Sequence, residues 1–298
     1  MQRKNNLEDI IYGTAKLGDQ NYGFSSSRES LSSRVEFINK LLEEGVKRFD
    51  TSPRYGDAEL ILGKALKNKN KNIKIDSKII GLKPDDLKSG EKIFKQVENS
   101  LKNLNIESLN IIYLHQNELE ILKDRRIQKG LKDVLEKGLA KGIGTSVYSH
   151  TELEYSLQND LFNTIQVPVN ILNTSFYDKF LFSPKNNNKE LIARSIFLQG
   201  ALLNLDDSSL RNVNIELYNA IGKLKVICKK HNTTILNEAK KTVYKLSDIK
   251  VIQSSLSFEN IKSNLYFHSH INDALIEKEI LGLRDLKYTF TNPRNWKV

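Results

Sequence analysis

The feature that most limits how this chain can fold is an alternation. Eight short runs suited to strands, at 10–15, 45–50, 73–80, 109–115, 141–146, 164–169, 191–197 and 250–253, are separated by polar loops and stretches of helical periodicity. The third run, Ile73-Lys74-Ile75-Asp76-Ser77-Lys78-Ile79-Ile80, alternates with the period of two expected of a strand. Helices are expected from Ser30 or Ser32 to Glu44, over 57–66, over 91–103, up to Gly138, over 151–158, 214–230 and 235–246, and last from Ser257 or Phe258. Strands that alternate with helices demand a parallel sheet covered on its faces. Eight such units in 298 residues favour a closed (β/α)8 TIM barrel in the α/β class over an open doubly wound sheet. The turn Gly13-Thr14-Ala15 lacks the GxGxxG spacing of a Rossmann fingerprint. No composition break marks a linker, so 1–298 reads as one domain, with 288–298 as a tail.

Composition excludes several function classes. The formal net charge is +10, but the lysines are spread over many segments and interleaved with acids, as in 131–137. A solvated basic surface accounts for this, or a basic rim that attracts a phosphate-bearing cofactor; neither nucleic acid nor a membrane is an expected partner. The lone cysteine, Cys228, permits no intrachain disulfide and no cysteine-rich metal site, and reads as a helical thiol. No metal is expected. The N-terminus, Met1-Gln2-Arg3-Lys4-Asn5-Asn6, has no apolar core of a signal peptide, and no apolar run approaches the ~18 residues of a membrane span. The expectation is a cytoplasmic protein.

In a closed parallel barrel all strands present their carboxyl ends at one face. Asp50, Lys78 and His115 end the second, third and fourth runs, and Tyr55 lies in the loop after Asp50. Neighbouring strands lie about 4.8 Å apart, so these groups can meet. Each alone has a structural explanation: a capping aspartate, a packed tyrosine, a lysine reaching out from a strand end, a satisfied histidine. Together they suit carbonyl reduction. Tyr55 would donate the proton, Lys78 would lower the tyrosine pKa, Asp50 would hold Lys78, and His115 would orient the carbonyl oxygen. None of these side chains supplies hydride, so a nicotinamide cofactor is required. Two other readings stay open. One is a cofactor-binding regulatory or interaction protein with little turnover. The other is a lyase or isomerase that uses Lys78 as a Schiff base.

The segment Arg48-Phe49-Asp50-Thr51-Ser52-Pro53-Arg54-Tyr55-Gly56-Asp57-Ala58-Glu59, followed by Leu62-Gly63, resembles the signature of the aldo-keto reductase superfamily. By this resemblance Asp50, Tyr55, Lys78 and His115 occupy the catalytic tetrad positions, and the activity is reduction of an aldehyde or ketone to an alcohol. The resemblance further implies a cofactor site. Gly13, Thr14, Ala15 and Asp50 would lie along it, and Ser146 and Gln166 would hold the nicotinamide carboxamide. Arg194 would stack in place of an aromatic residue, and Ser195, Phe197, Gln199 and Gly200 would form the pyrophosphate loop. Ser254, Asn260 and Asn264 would stand at the adenosine end. Val147 replaces a common Asn, and Ser254 and Asn260 replace common cations. NADP is the implied cofactor, NAD the alternative, and Lys262 a substitute cation. The turn Lys16-Leu17-Gly18 with Tyr22-Gly23 resembles members associated with surface polysaccharides, which implies a sugar-like carbonyl substrate. Tyr22, Phe24 and Trp296 are the expected pocket aromatics. Nothing in the residues addresses the oligomeric state.

Overall fold

The structure is a computed structural model and describes residues 10–19, 29–67, 72–116, 118–184, 186, 188–203, 207–267 and 274–296, the side chain of Asp207 excepted. Eight parallel strands close on themselves in sequence order: β1 (Ile10–Gly13), β2 (Arg48–Asp50), β3 (Lys74–Ile79), β4 (Leu109–Leu114), β5 (Ala140–Ser146), β6 (Thr164–Pro168), β7 (Glu190–Arg194) and β8 (Ile249–Gln253). β8 pairs back with β1 through Ile10↔Val251 and Tyr12↔Gln253. The α/β barrel expected from the alternation is the observed fold.

The described helices are α1 (Ala15–Gly18), α2 (Leu31–Glu43), α3 (Ala58–Leu66), α4 (Ser89–Leu104), α5 (Leu119–Lys123), α6 (Arg125–Glu136), α7 (His150–Gln158), α8 (Ser175–Leu181), α9 (Asp207–Val213), α10 (Ile215–Lys230), α11 (Ile235–Tyr244), α12 (Phe258–Leu265) and α13 (Ala274–Leu281). Local chemistry sets their ends. Ser30 caps α2 by accepting from Ser33 N, and Ser149 with Glu152 forms a capping box at α7. α4 buries Ile93, Val97, Leu101 and Leu104 on one face and ends at Asn105 in the left-handed region, φ 55°.

Five features depart from the sequence reading. The loop expected after residue 15 begins with α1, because Leu17 is fully buried there. The single helix expected up to Gly138 is two, broken at Asp124, whose carboxylate caps α6 through Arg126 N and Ile127 N. α8 sits in the expected loop after β6, held by buried Phe176, Tyr177 and Phe180. α9 and α13 were not expected, and α13 rather than α12 is the last helix. β7 ends at Arg194 instead of running to Phe197, because Ser195 adopts φ 59°, which no strand residue can.

Inside the barrel, side chains fill the space in place of a pore. Tyr113 is fully buried against Gly144, where a Cβ would lie 2.3 Å from Tyr113 Cε1. Ion pairs continue the filling: Arg48 Nε to Asp76 Oδ2 at 2.9 Å, Arg48 Nη1 to Glu190 Oε2 at 2.7 Å, and Lys250 Nζ to Glu190 Oε1 at 2.7 Å. Asn110 Nδ2 donates to the other Asp76 oxygen at 2.7 Å. Burial pushes the Asp76 carboxyl up to about 6 against the pull of Arg48 and Asn110.

Candidate active site

β2 and β3 pair Asp50 with Asp76, so Lys78, two residues on, shares their inward face. Lys78 is 2% exposed and Asp50 4%. Lys78 Nζ donates to Asp50 Oδ2 at 2.6 Å and to the Thr51 carbonyl at 2.7 Å. The other Asp50 oxygen accepts from Gln166 Nε2 at 2.6 Å, across the barrel from β6. Thr14 fixes the Asp50 backbone from β1, with N and Oγ1 both directed to the Asp50 carbonyl at 2.9 and 3.1 Å. This buried pair therefore has its charge matched and most of its hydrogen-bonding capacity used, as burial requires.

Tyr55 stands over this pair. Lys78 Nζ is 4.9 Å from its ring centroid, and the His115 ring meets it edge-to-face at 6.1 Å and 79°. The Tyr55 loop is clamped by α1. A Cβ on Gly18 would fall 1.7 Å from the Tyr55 carbonyl oxygen, and Gly56 turns away with φ 52°. Arg34 holds the loop's far end through a bidentate pair with Asp57, at 2.7 and 2.9 Å.

The charge states follow from the surroundings. Burial, then Asp50 and Tyr148, hold the Tyr55 hydroxyl well above its ordinary pKa, while Arg194 and Arg54 pull it down. This corrects the expectation that Lys78 sets a lowered tyrosine pKa: Lys78 is committed to Asp50 and Thr51, and the low-dielectric surroundings win. Burial, then the charges of Lys78, Arg194, Arg54 and Arg294, push the His115 imidazole down to about 3. His115 is therefore neutral at physiological pH. Ser52, which the sequence reading did not single out, lies 3.3 Å from His115 Nδ1 and accepts from Arg54 N at 3.2 Å.

The residues expected at a cofactor are distributed around the same rim. Gly13 pairs with Asp50 at the ends of β1 and β2, and Ala15 opens α1. Ser146, at the end of β5, and Gln166, in the middle of β6, are register partners, both buried. Val147, beside them, points its side chain into the core and gives its carbonyl to Arg194 Nη2 at 2.7 Å. The Arg194 guanidinium carbon lies 3.8 Å from the Tyr148 ring centroid, so its stacking surface faces a tyrosine of this chain. After β7 the backbone turns through left-handed conformations at Ser195, Leu198 and Gln199, with φ 59°, 49° and 57°, before Gly200 at 95°. Such turned, strained backbone is of the type that aims N–H groups at anions. Phe197 packs between two core clusters.

The adenosine-end candidates gather after β8, where Tyr12 Oη donates to the Ser255 carbonyl at 2.9 Å. Ser254 and Asn260 are exposed and Asn264 is buried. Lys262, the expected substitute cation, pairs with Glu44 Oε1 at 3.3 Å. Trp296 is no pocket residue. It is buried in a cluster with Ile276, Ile280 and Leu217, and its Nε1 donates to the Phe290 carbonyl at 2.8 Å. Tyr22 and Phe24 lie outside the described residues.

The residues present suit a nicotinamide dinucleotide. Gln166, with its amide N–H committed to Asp50, keeps its carbonyl oxygen for a carboxamide N–H, and the turned loop after β7 suits a pyrophosphate. No described group of three or more His, Cys, Asp or Glu side chains is placed to hold a metal ion, and no described helix is long and apolar enough to cross a membrane.

Comparison with known proteins agrees with this geometry. The model of the Aldo/keto reductase family matches residues 9–265. The chain is 26% identical over 204 residues to aldo-keto reductase YhdN of Bacillus subtilis, a match that covers 65% of this chain and 59% of that protein. The chain thus spans less than two thirds of that relative's length. Among solved structures, a glycerol dehydrogenase of Gluconobacter oxydans superposes with a TM-score of 0.69 at 18% identity, over 92% of this chain and 90% of the other. An aldo-keto reductase of the silkworm Bombyx mori, solved with NADPH, superposes with a TM-score of 0.67 at 17% identity, over 96% of this chain and 88% of the other.

Proposed function

The chain belongs to the aldo/keto reductase family, a family of NAD(P)H-dependent oxidoreductases, and on that footing we propose that it reduces an aldehyde or ketone to an alcohol with Tyr55 as proton donor. The observation that carries this reading is the buried Asp50–Lys78 pair beneath Tyr55, with His115 at the ring edge. The cofactor, when bound, supplies the hydride that goes to the carbonyl carbon. Everything else falls to the chain. Tyr55 stays protonated at neutral pH and gives its proton to the carbonyl oxygen, becoming tyrosinate beside the Lys78 ammonium. Ser52 accepts from Arg54 N and lies 3.3 Å from His115 Nδ1, and in this reading it turns its hydroxyl hydrogen to that nitrogen. The proton of the neutral ring then belongs on Nε2, where it can donate to the same carbonyl oxygen. Asp50 keeps Lys78 charged and in place. Gln166 and Ser146 would hold the carboxamide of the cofactor.

NADP(H) is the cofactor that family membership supports. A second reading, NAD(H), is favoured by one observation: Ser254 and Asn260 are neutral and Lys262 is engaged by Glu44. A 2′-phosphate would then lack the charge-assisted bonds that select it. The substrate is a small-molecule carbonyl compound, and a sugar-like one follows from the Lys16–Gly18 resemblance.

The test is fluorescence titration with NADPH and NADH, followed by absorbance of the reduced cofactor with a panel of aldehydes. The wild type is expected to bind a cofactor and oxidise it with some aldehyde. Tyr55→Phe should bind equally and turn over at least ~100-fold more slowly. Binding without Tyr55-dependent turnover would move the protein to a regulatory role, and no binding of either cofactor would end the oxidoreductase reading.

A further inference from the structure

At the adenosine end, none of the positions singled out in the sequence offers a cation to a ligand. Ser254 and Asn260 are neutral, and Lys262 pairs with Glu44 Oε1 at 3.3 Å. A different lysine reaches the same helix from a neighbouring one. Lys240 lies in the middle of α11, and its side chain crosses to α12. It is 2% exposed. Its Nζ donates to Ser263 Oγ at 2.9 Å and, more weakly, to the Ser263 carbonyl at 3.4 Å. The Phe267 ring centroid lies 5.2 Å away.

Among the described residues no carboxylate pairs with this ammonium, whose polar contacts are the two to Ser263. Glu238, the acid of α11, is taken by Lys241 Nζ and Thr233 Oγ1, both at 2.8 Å. Burial pushes the Lys240 pKa below the ordinary lysine value, and no neighbouring charge opposes it. A buried charge without one of opposite sign is costly, and neither a hydroxyl nor an aromatic face replaces an anion. Methionine or leucine would fill the same space without that cost. Charges held in such a state gather at functional sites.

The stem of Lys240 is buried, but its head ends at an exposed residue. Ser263 is exposed, and so is Asn260, three residues earlier on the same face of α12. Asn264, next in the chain, is the buried residue expected at the adenosine end. The ammonium therefore stands beside the stretch of α12 assigned to the adenosine. Of the anionic groups of the cofactor, the pyrophosphate is assigned to the turned loop after β7. The anion left for the adenosine end is the 2′-phosphate, which NADP carries and NAD lacks. A lysine ammonium is a compact point charge that suits a phosphate oxygen.

We infer that Lys240 receives the 2′-phosphate of NADP(H) and so sets the preference for that cofactor over NAD(H). This rests on the reductase reading, which places the adenosine end at α12. Ser263 Oγ holds the ammonium, and the long bond to the Ser263 carbonyl is the one it gives up for a phosphate oxygen. The buried charge is then matched only when the phosphorylated cofactor is bound. No covalent bond is made or broken.

Calorimetric titration with 2′,5′-ADP and 5′-AMP tests this without turnover, because the two adenosine fragments differ only in the 2′-phosphate. The wild type should bind 2′,5′-ADP about tenfold or more tightly than 5′-AMP. Lys240→Met, which keeps an apolar stem in the buried space, should lower that ratio about fivefold or more and leave 5′-AMP affinity unchanged. Lys240→Gln repeats the comparison if the methionine variant does not fold. Lys262→Met should keep the ratio. Equal binding of the two fragments by the wild type, binding of neither, or a preference that survives loss of Lys240 would overturn the inference. So would a preference lost in Lys262→Met instead. If the inference fails while aldehyde turnover depends on Tyr55, the reductase reading stands. A ratio that depends on Lys240, with no turnover on any aldehyde, would support the phosphate site and sink the reductase reading.

Discussion

The neutral state of His115 can be tested through stability, without any substrate. In the unfolded chain the imidazole takes up a proton near pH 6.5, whereas in the fold burial and four neighbouring cations delay this to about 3. Between those values the unfolded state binds more protons, so stability is present above pH 6.5 and is lost as pH falls toward 3. From pH 7 to pH 5 the group titrates over about 1.5 pH units, and at 1.36 kcal/mol per unit the fold loses ~2 kcal/mol from this residue. Asp76 works in the opposite sense. Its carboxyl is raised from 3.8 to about 6, so its contribution improves as pH falls through that range. Asp76 is common to wild type and variant and cancels in their difference. The assay is urea unfolding of wild type and His115→Gln at pH 7 and pH 5. The variant's loss between the two pH values should be smaller than the wild type's by ~2 kcal/mol, at unchanged m-value. Equal losses in the two proteins would refute the reasoning, since His115 would then titrate normally and face solvent rather than the cations.

Three further outcomes follow from geometry. Gly18→Ala places a Cβ 1.7 Å from the Tyr55 carbonyl. The loop must move, and turnover should fall ~100-fold while cofactor affinity changes little, measured by steady-state kinetics and fluorescence titration. Arg48→Met leaves the Asp76 and Glu190 carboxylates without their shared guanidinium. It should cost about 3–5 kcal/mol in urea unfolding at pH 7. Ser254→Lys with Asn260→Arg should raise the ratio of NADPH to NADH affinity tenfold or more, by titration, because each added cation can pair with a 2′-phosphate.

The order of elements was readable because each strand announces itself by apolar content and each long helix by its period, and both are local properties. α8, α9 and α13 were not readable. α8 is seven residues long and its apolar residues are aromatic, a pattern that fits a loop as well as a helix until packing against the barrel decides. α13 is held by Ile276 and Ile280 in a cluster shared with α10 and Trp296, partners far away in sequence. The same distance misled the reading of Trp296 as a pocket residue. Ser52 carried no signal at all in the sequence: its meaning lies in being 3.3 Å from a histidine on another strand.

The sequence by itself determined that the chain forms eight strand–helix units, and it placed Asp50, Tyr55, Lys78 and His115 at strand ends or just beyond, because residue spacing within a unit is a property of the backbone. Only the tertiary structure decided what those groups are. Closing the barrel brought Gln166 to Asp50, the tail brought Arg294 to Tyr148, and burial raised the Tyr55 pKa while four cations and burial kept His115 neutral. Charge state depends on which groups surround a residue in space and on how much water they exclude, and neither is written in the local order of the chain.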